Sequence, residues 1–172
     1  MFNISTKYSQ NSDFRAILVN KSSNLANLGS FIDSKSANDL KNKASKNKKG
    51  FTFVSKIKNS KFNNFYFFNV NEKKIDYEYQ DLGGLIVSEA SSLKKDRIEI
   101  LFDTLPQKIK NNKKIIQNIL VGIVSKNYFF NNYKQKKQSK KITNISLVCS
   151  TKNIIKQALK YAPRVPSLFE DT

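Results

Sequence analysis

The stretch that decides the fold is Ile115 to Gln138, IIQNILVGIVSKNYFFNNYKQKKQ. Ile115, Ile119 and Ile123 form one row at a spacing of four, and Ile116, Leu120 and Val124 form the row beside it. Two adjacent rows make a broad helical stripe that has to be buried. Gly122 interrupts the stripe, where glycine costs about 1 kcal/mol relative to alanine. It reads either as a close approach of a neighbouring element or as a neutral accident. The helix then runs into a knot of aromatics, Tyr128-Phe129-Phe130, and ends in a lysine run.

The segments around this helix alternate in period. Before it, Phe14 to Asn20 is a short apolar run and reads as a buried first strand, and Leu25, Leu28, Phe31 and Ile32 form an apolar patch broken by Gly29. Asp33 to Lys49 is polar, with Ala37, Leu40 and Ala44 at helical spacing, and reads as a surface helix capped by Asp33 or as a lysine-rich loop. Phe51 to Ile57 and Phe62 to Val70 read as two strands, and the turn Asn59-Ser60-Lys61 between them makes a hairpin. The aromatics of the second strand fill a strand buried on both faces more readily than they form a base-stacking platform. Ile75, Tyr79, Leu82, Ile86, Ala90 and Leu93 step by three and four, the mark of a helix that contains Gly83-Gly84. Arg97 to Asp103 is a strand, Pro106 breaks the chain, and a single helix from about Ile109 to Tyr128 follows. Ile142 to Cys149 is the last strand, and Thr151 can cap a helix carrying Ile154, Ile155, Ala158 and Leu159. This order predicts a three-layer α/β domain with a mixed sheet flanked by helices. We expect residues 1–13 to be an N-terminal extension, 14–162 the domain, and 163–172 a tail.

The 172 residues carry a formal net charge of +18, with 39% hydrophobic and 12% aromatic residues, enough for one domain with a real core. Such a charge suggests nucleic acid or an anionic surface. Yet only Arg15, Arg97 and Arg164 are arginine; the other basic residues are lysine. Lysine with abundant asparagine and isoleucine is what an A+T-rich genome writes on a solvated surface. Sequence-reading proteins favour the bidentate fork of arginine. The solvated-surface reading therefore weighs more than polyanion binding. Lys134, Lys136, Lys137, Lys140 and Lys141 are the candidate polyanion-binding cluster.

Several chemistries have no residues to run on. There is no histidine and Cys149 is the only cysteine, which excludes intrachain disulfides, Cys/His zinc clusters and histidine-based triads. No phosphate-binding glycine loop or nucleophile elbow occurs. The acids fall in loops and on polar helix faces. Asp96 and Asp103 flank one strand, but their spacing selects neither a metal nor an acid-base pair. No catalytic, metal or cofactor-binding residue is assigned. With no run of about 18 apolar residues and no apolar signal core at the N-terminus, a soluble cytoplasmic protein with no membrane partner is expected.

The helix ending in Tyr128-Phe129-Phe130-Asn131-Asn132-Tyr133-Lys134, followed by a basic loop and the strand Ile142 to Cys149, resembles the N-terminal domain of M17 leucyl aminopeptidases. Tyr128, Phe130, Tyr133 and Lys134 stand at the positions of that family's Tyr-x-Phe-x-x-Tyr-Lys pattern. The strands at Phe14 to Asn20, Phe51 to Ile57 and Phe65 to Val70, and the helix with Leu82-Gly83-Gly84, fit its order of elements. One departure is Val70-Asn71-Glu72-Lys73-Lys74, where the family commonly has a Gly-x-Gly-Lys-like turn. The resemblance implies a macro-domain-like fold placed before a metallopeptidase domain with two divalent metals. That domain's Asn-Thr-Asp-Ala-Glu-Gly-Arg motif is absent from this chain, so no catalytic or metal residue carries over. The chain alone is expected to lack peptidase activity, to hold no cofactor, and to serve assembly or regulation. Its expected partner is an M17 catalytic domain or further copies of itself. A basic nucleic-acid-binding module is the alternative.

Overall fold

The computed structural model describes residues 2–7, 9, 12–25, 52–54, 65–72, 74–133 and 142–161, together with the single positions 35, 38, 39, 42 and 46. The elements in chain order are β1 (Phe2–Ser5), β2 (Phe14–Val19), β3 (Thr52–Val54), β4 (Phe65–Asn69), α1 (Asp76–Ser92), β5 (Arg97–Leu101), α2 (Gln107–Lys110), α3 (Lys113–Tyr133), β6 (Asn144–Val148) and α4 (Lys152–Leu159). The strands form one mixed sheet in the order β1-β6-β5-β2-β4-β3. Five strands run parallel, and β3 pairs antiparallel with β4 at one edge through Thr52↔Phe68, Phe53↔Phe67 and Val54↔Tyr66. The hairpin and the α/β class are as the alternation predicts. The turn at Asn59-Ser60-Lys61, the patch from Leu28 to Ile32 and the tail 163–172 lie outside the described residues. Within 33–49, positions 35, 38, 39, 42 and 46 are helical and exposed.

Three expectations change. Residues Phe2–Ser5 are not outside the domain: they form β1, pairing with β6 in the register Phe2↔Ile145 to Ser5↔Val148. The single helix from Ile109 is two helices. Asn112 divides them because its Oδ1 accepts the N–H groups of Lys114 and Ile115 at 3.1 and 3.3 Å, capping α3. Thr151 precedes α4 without capping it; its hydroxyl lies 3.1 Å from the Cys149 sulfur instead.

One face of the sheet carries α1, α3 and α4. The steps β4→α1→β5 and β5→α3→β6 run the same way along the sheet, so the right-handed crossover rule places both helices on one face. Ala16, Leu18, Tyr66, Phe68, Ile98, Ile100, Ile145 and Leu147 point toward them and are buried with Ile86, Ile119, Leu120, Ile123 and Ile155. Phe14 stacks on Tyr66 with ring centroids 4.1 Å apart. The alternate residues Ile17, Phe67, Leu101 and Val148 are buried on the opposite face, so β4 fills both layers with aromatics.

The predicted helix stripe packs as a helix pair. A Cβ on Gly122 would overlap the Gln80 carbonyl oxygen of α1, and a Cβ on Gly83 would overlap the Ile119 carbonyl oxygen of α3. Glycine is therefore required for backbone contact at this crossing, which decides the choice left open for Gly122. At the other end of α1, Lys94 has φ 56° and the Lys95 N–H bonds the Ala90 carbonyl at 2.9 Å. This is a Schellman close made with lysine at a position that usually takes glycine.

Candidate functional site

In an open α/β sheet, ligands bind outside the carboxyl ends of adjacent strands whose connections leave in opposite directions. Here those strands are β2 and β5. The chain leaves β2 toward the β4-β3 edge and leaves β5 toward β6. The residues at these ends are Asn20 and Ser23 after β2, Val70 after β4, and Phe102 to Leu105 after β5.

Among the described residues, these strand ends are tied together by the chain's own polar groups. The Asn20 side-chain amide donates to the Val70 carbonyl at 2.6 Å, and its Oδ1 accepts the Ser22 N–H at 3.0 Å. The Ser23 hydroxyl accepts the Asn20 N–H at 2.7 Å. The Thr104 hydroxyl donates to the Leu18 carbonyl, tying the β5 end to β2. Asn20, Ser23 and Thr104 are all buried. Buried polar groups of this kind are stable only when paired, and here each has its partner within the fold.

One strand further along, Asp103 does the same for β6. Both its carboxylate oxygens accept the Ser150 N–H at 2.9 Å, and one also accepts the Ser150 hydroxyl at 2.8 Å. Lys110 approaches the same carboxylate at 3.5 Å. A turn between strand and helix offers N–H donors that can receive an anionic ligand group. In this protein a side-chain carboxylate already occupies that position. Asp96, the other acid of the pair, is a backbone partner: its carbonyl accepts the Thr143 N–H at 2.9 Å at the opposite end of β5. The two acids therefore do not meet.

Cys149 is buried, and its thiol is pushed up by burial, partly offset by Thr151. Its place in the core cluster is that of a packing residue. The turn after β4 has a structural use: the Tyr79 hydroxyl donates to the Asn71 carbonyl at 2.6 Å, and Glu72 pairs with Lys108 at 3.2 Å. Lys134, Lys136, Lys137, Lys140 and Lys141 lie outside the described residues, as do the side chains of Phe130 and Tyr133; Tyr128 is half-buried on α3. Among the described residues there is no group of three or more histidines, cysteines, aspartates or glutamates that could hold a metal ion. No helix among them is long and apolar enough to cross a membrane.

A second polar group was hidden inside the strands. Arg15 of β2 and Glu99 of β5 are register partners, with Nε and Oε2 2.8 Å apart and side chains 3% and 1% exposed. The contact is a close charge pair without good hydrogen-bond angles at those two atoms. Further support comes from the connection between β1 and β2. The Ser9 N–H donates to Glu99 Oε1 at 2.6 Å, and the Arg15 guanidinium donates to the Ser9 carbonyl and, at 3.5 Å, to the Ser12 carbonyl. Burial pushes the Glu99 carboxyl above its ordinary range, opposed by Ser9 and Arg15, and pulls Arg15 below its own. Single charges inside apolar strands were the visible signal; their pairing depends on strand register.

No protein-family model matches the chain, and no curated protein matches it. Among solved structures, a tomato leucine aminopeptidase mutant is similar, with a TM-score of 0.58 and 14% identity. The match covers 94% of this chain and 36% of that chain, so this chain spans about a third of the length of the structure it resembles. The likeness is one of fold.

Proposed function

We propose that this chain is a non-catalytic domain related to the N-terminal domain of M17 leucyl aminopeptidases, acting in assembly or regulation of a peptidase. The observation that carries this reading is the extent of the fold match: nearly all of this chain against about a third of an aminopeptidase chain. The Tyr128-x-Phe130-x-x-Tyr133-Lys134 pattern and the lack of an Asn-Thr-Asp-Ala-Glu-Gly-Arg motif agree with it. So do the described residues of the carboxyl edge, where the side chains of Asn20, Thr104 and Asp103 bond other parts of the fold. The partner under this reading is an M17 catalytic domain, and the divalent metals belong to that partner.

The test is to mix the purified chain with an M17 catalytic domain encoded in the same genome. Complex mass by light scattering and metal-dependent release of leucine from a peptide are then measured. The expected result is a stable complex with altered activity, and no leucine release by this chain alone. Release of leucine by this chain alone, or two components that never associate, would overturn the proposal.

A further inference from the structure

The charges of this protein are segregated by helix. α1 carries Asp76, Glu78, Asp81 and Glu89 and no lysine or arginine. α3 and α4 carry lysines and no acid. The division extends along the sequence: residues 104–169 hold fourteen lysines and arginines and not one aspartate or glutamate. α3 packs against both α1 and α4. The helical layer therefore has an acidic member and a basic member.

A+T-rich coding accounts for the abundance of lysine but not for this distribution. Base composition acts on every helix alike, and α1 in the same chain has kept its acids. Helix stability does not account for it either. The positive end of a helix dipole favours acids in the first turn, and α1 has Asp76 and Glu78 there. α3 instead begins with Lys113 and Lys114, and α4 with Lys152, so both set positive charge on a positive end.

Toward α1 the lysines are neutralised, as where Lys114 pairs with Asp76 at 3.0 Å. On α4 they are not. Ile155 and Ala158 are its buried residues, and Lys152, Lys156 and Lys160 follow one another at a spacing of four along an exposed face. Lys113 joins the end of this row, with Nζ 5.1 Å from the centroid of the Tyr161 ring. Among the described residues none of these four lysines has an acid within ion-pair distance. Like charges four residues apart on a helix repel, and a bound polyanion relieves that repulsion while releasing its own counterions.

We propose that the lysine face of α4, continued by Lys113, binds the phosphate backbone of a nucleic acid without reading its sequence. The row contains no arginine. Lysine meets phosphate as a point charge, whereas the carboxylates of an acidic protein are held best by the paired donors of arginine. The three lysines of α4 span about 12 Å along the helix, a length over which one strand of a duplex carries about three to four phosphates. The acids of α1 repel the same backbone, which confines it to the α4 side. This binding stands apart from the peptidase relationship.

The test compares two variants that lose the same charge in different places. Lys152→Gln with Lys156→Gln and Lys160→Gln empties the α4 row and keeps good helix formers there. Lys21→Gln with Lys94→Gln and Lys95→Gln removes three lysines that follow β2 and α1. Binding of a short DNA duplex of mixed sequence is measured by fluorescence anisotropy over about 50 to 200 mM salt. The α4 variant should bind about tenfold or more weaker than wild type, with the slope of log K against log salt reduced by up to about 2.7. The second variant should change both far less. Equal losses in the two variants would assign binding to overall charge and overturn the proposal, as would a wild-type protein that does not bind the duplex. Poly-glutamate is the competitor. If it displaces the labelled duplex as well as unlabelled DNA of equal charge does, the face is a seat for acidic protein segments and the proposal is likewise overturned.

Discussion

Gly83 and Gly122 are reciprocal. Each lies against the carbonyl oxygen of the residue three positions before the other glycine, Gly83 on Ile119 and Gly122 on Gln80. The crossing of α1 and α3 is thus built from two backbone contacts related by a local two-fold relationship. A side-chain hydrogen bond from Gln80 to Asn118, at 2.8 Å, sits beside it.

Alanine at either glycine should separate the two helices. The overlap falls on backbone, which cannot rotate away, so Gly122→Ala and Gly83→Ala are each expected to cost about 2–3 kcal/mol, overriding the gain of about 1 kcal/mol in helix propensity. Gly84 is the control. Its added Cβ would meet the Lys126 side chain at 3.8 Å, an ordinary contact, so Gly84→Ala should be neutral or stabilising by up to about 1 kcal/mol. Urea denaturation of the three variants checks the order.

Removing one charge of the Arg15–Glu99 pair should be far worse than removing both. Arg15→Met alone leaves a buried carboxylate and is expected to cost about 3–5 kcal/mol, while adding Glu99→Leu should restore most of it. A double-mutant cycle measures the difference. The pH dependence has a defined sign. The folded-state Glu99 carboxyl titrates above its unfolded value of about 4.3, so its contribution is fully present below that value and is lost as pH rises through the folded pKa. Wild type should therefore gain stability relative to Glu99→Gln as pH falls from neutral toward about 4. A constant difference across that range would contradict the assignment.

Lys94→Gly should stabilise the protein. The left-handed backbone at Lys94 costs a non-glycine residue about 1–2 kcal/mol, and the Schellman bonds do not use its side chain. A gain of about 1 kcal/mol in thermal or urea unfolding is expected, with no change in fold.

The lysine cluster supports a separate measurement. Changing Lys134, Lys136, Lys137, Lys140 and Lys141 to glutamine should weaken duplex DNA binding and flatten its salt dependence. The slope of log K against log salt should fall by up to about 4.5 if all five neutralise phosphates. An unchanged slope would assign any DNA affinity to the general charge of the surface.

The alternation of strands and helices was legible because β2, β5, β6, α1 and α3 each bury a periodic apolar set that needs no distant information. β1 was not legible: Phe2 and Ile4 are two apolar residues in a polar context, and their partner strand lies at the far end of the chain. The break at Asn112 was masked because Ile109 and Ile115 both carry the apolar pattern across it, although paired asparagines before a helix are a capping signal. Arg15 and Glu99 each looked like an ordinary polar position in a strand. Only the register of β2 against β5 brings them together under the β1–β2 connection. At the carboxyl edge, Asn20 and Thr104 carried no motif, since their use is to bond backbone carbonyls of other strands.

The two glycines of the helix crossing also have a genetic consequence. Every single-base change in a glycine codon that alters the amino acid introduces a Cβ or larger, so neither position has a mild neighbour to drift into. The lysine- and asparagine-rich surface can be rewritten by base-composition pressure at little structural cost. Gly83 and Gly122 cannot, and the spacing between them is the mark by which diverged copies of this domain should remain recognisable after their surfaces have lost all likeness.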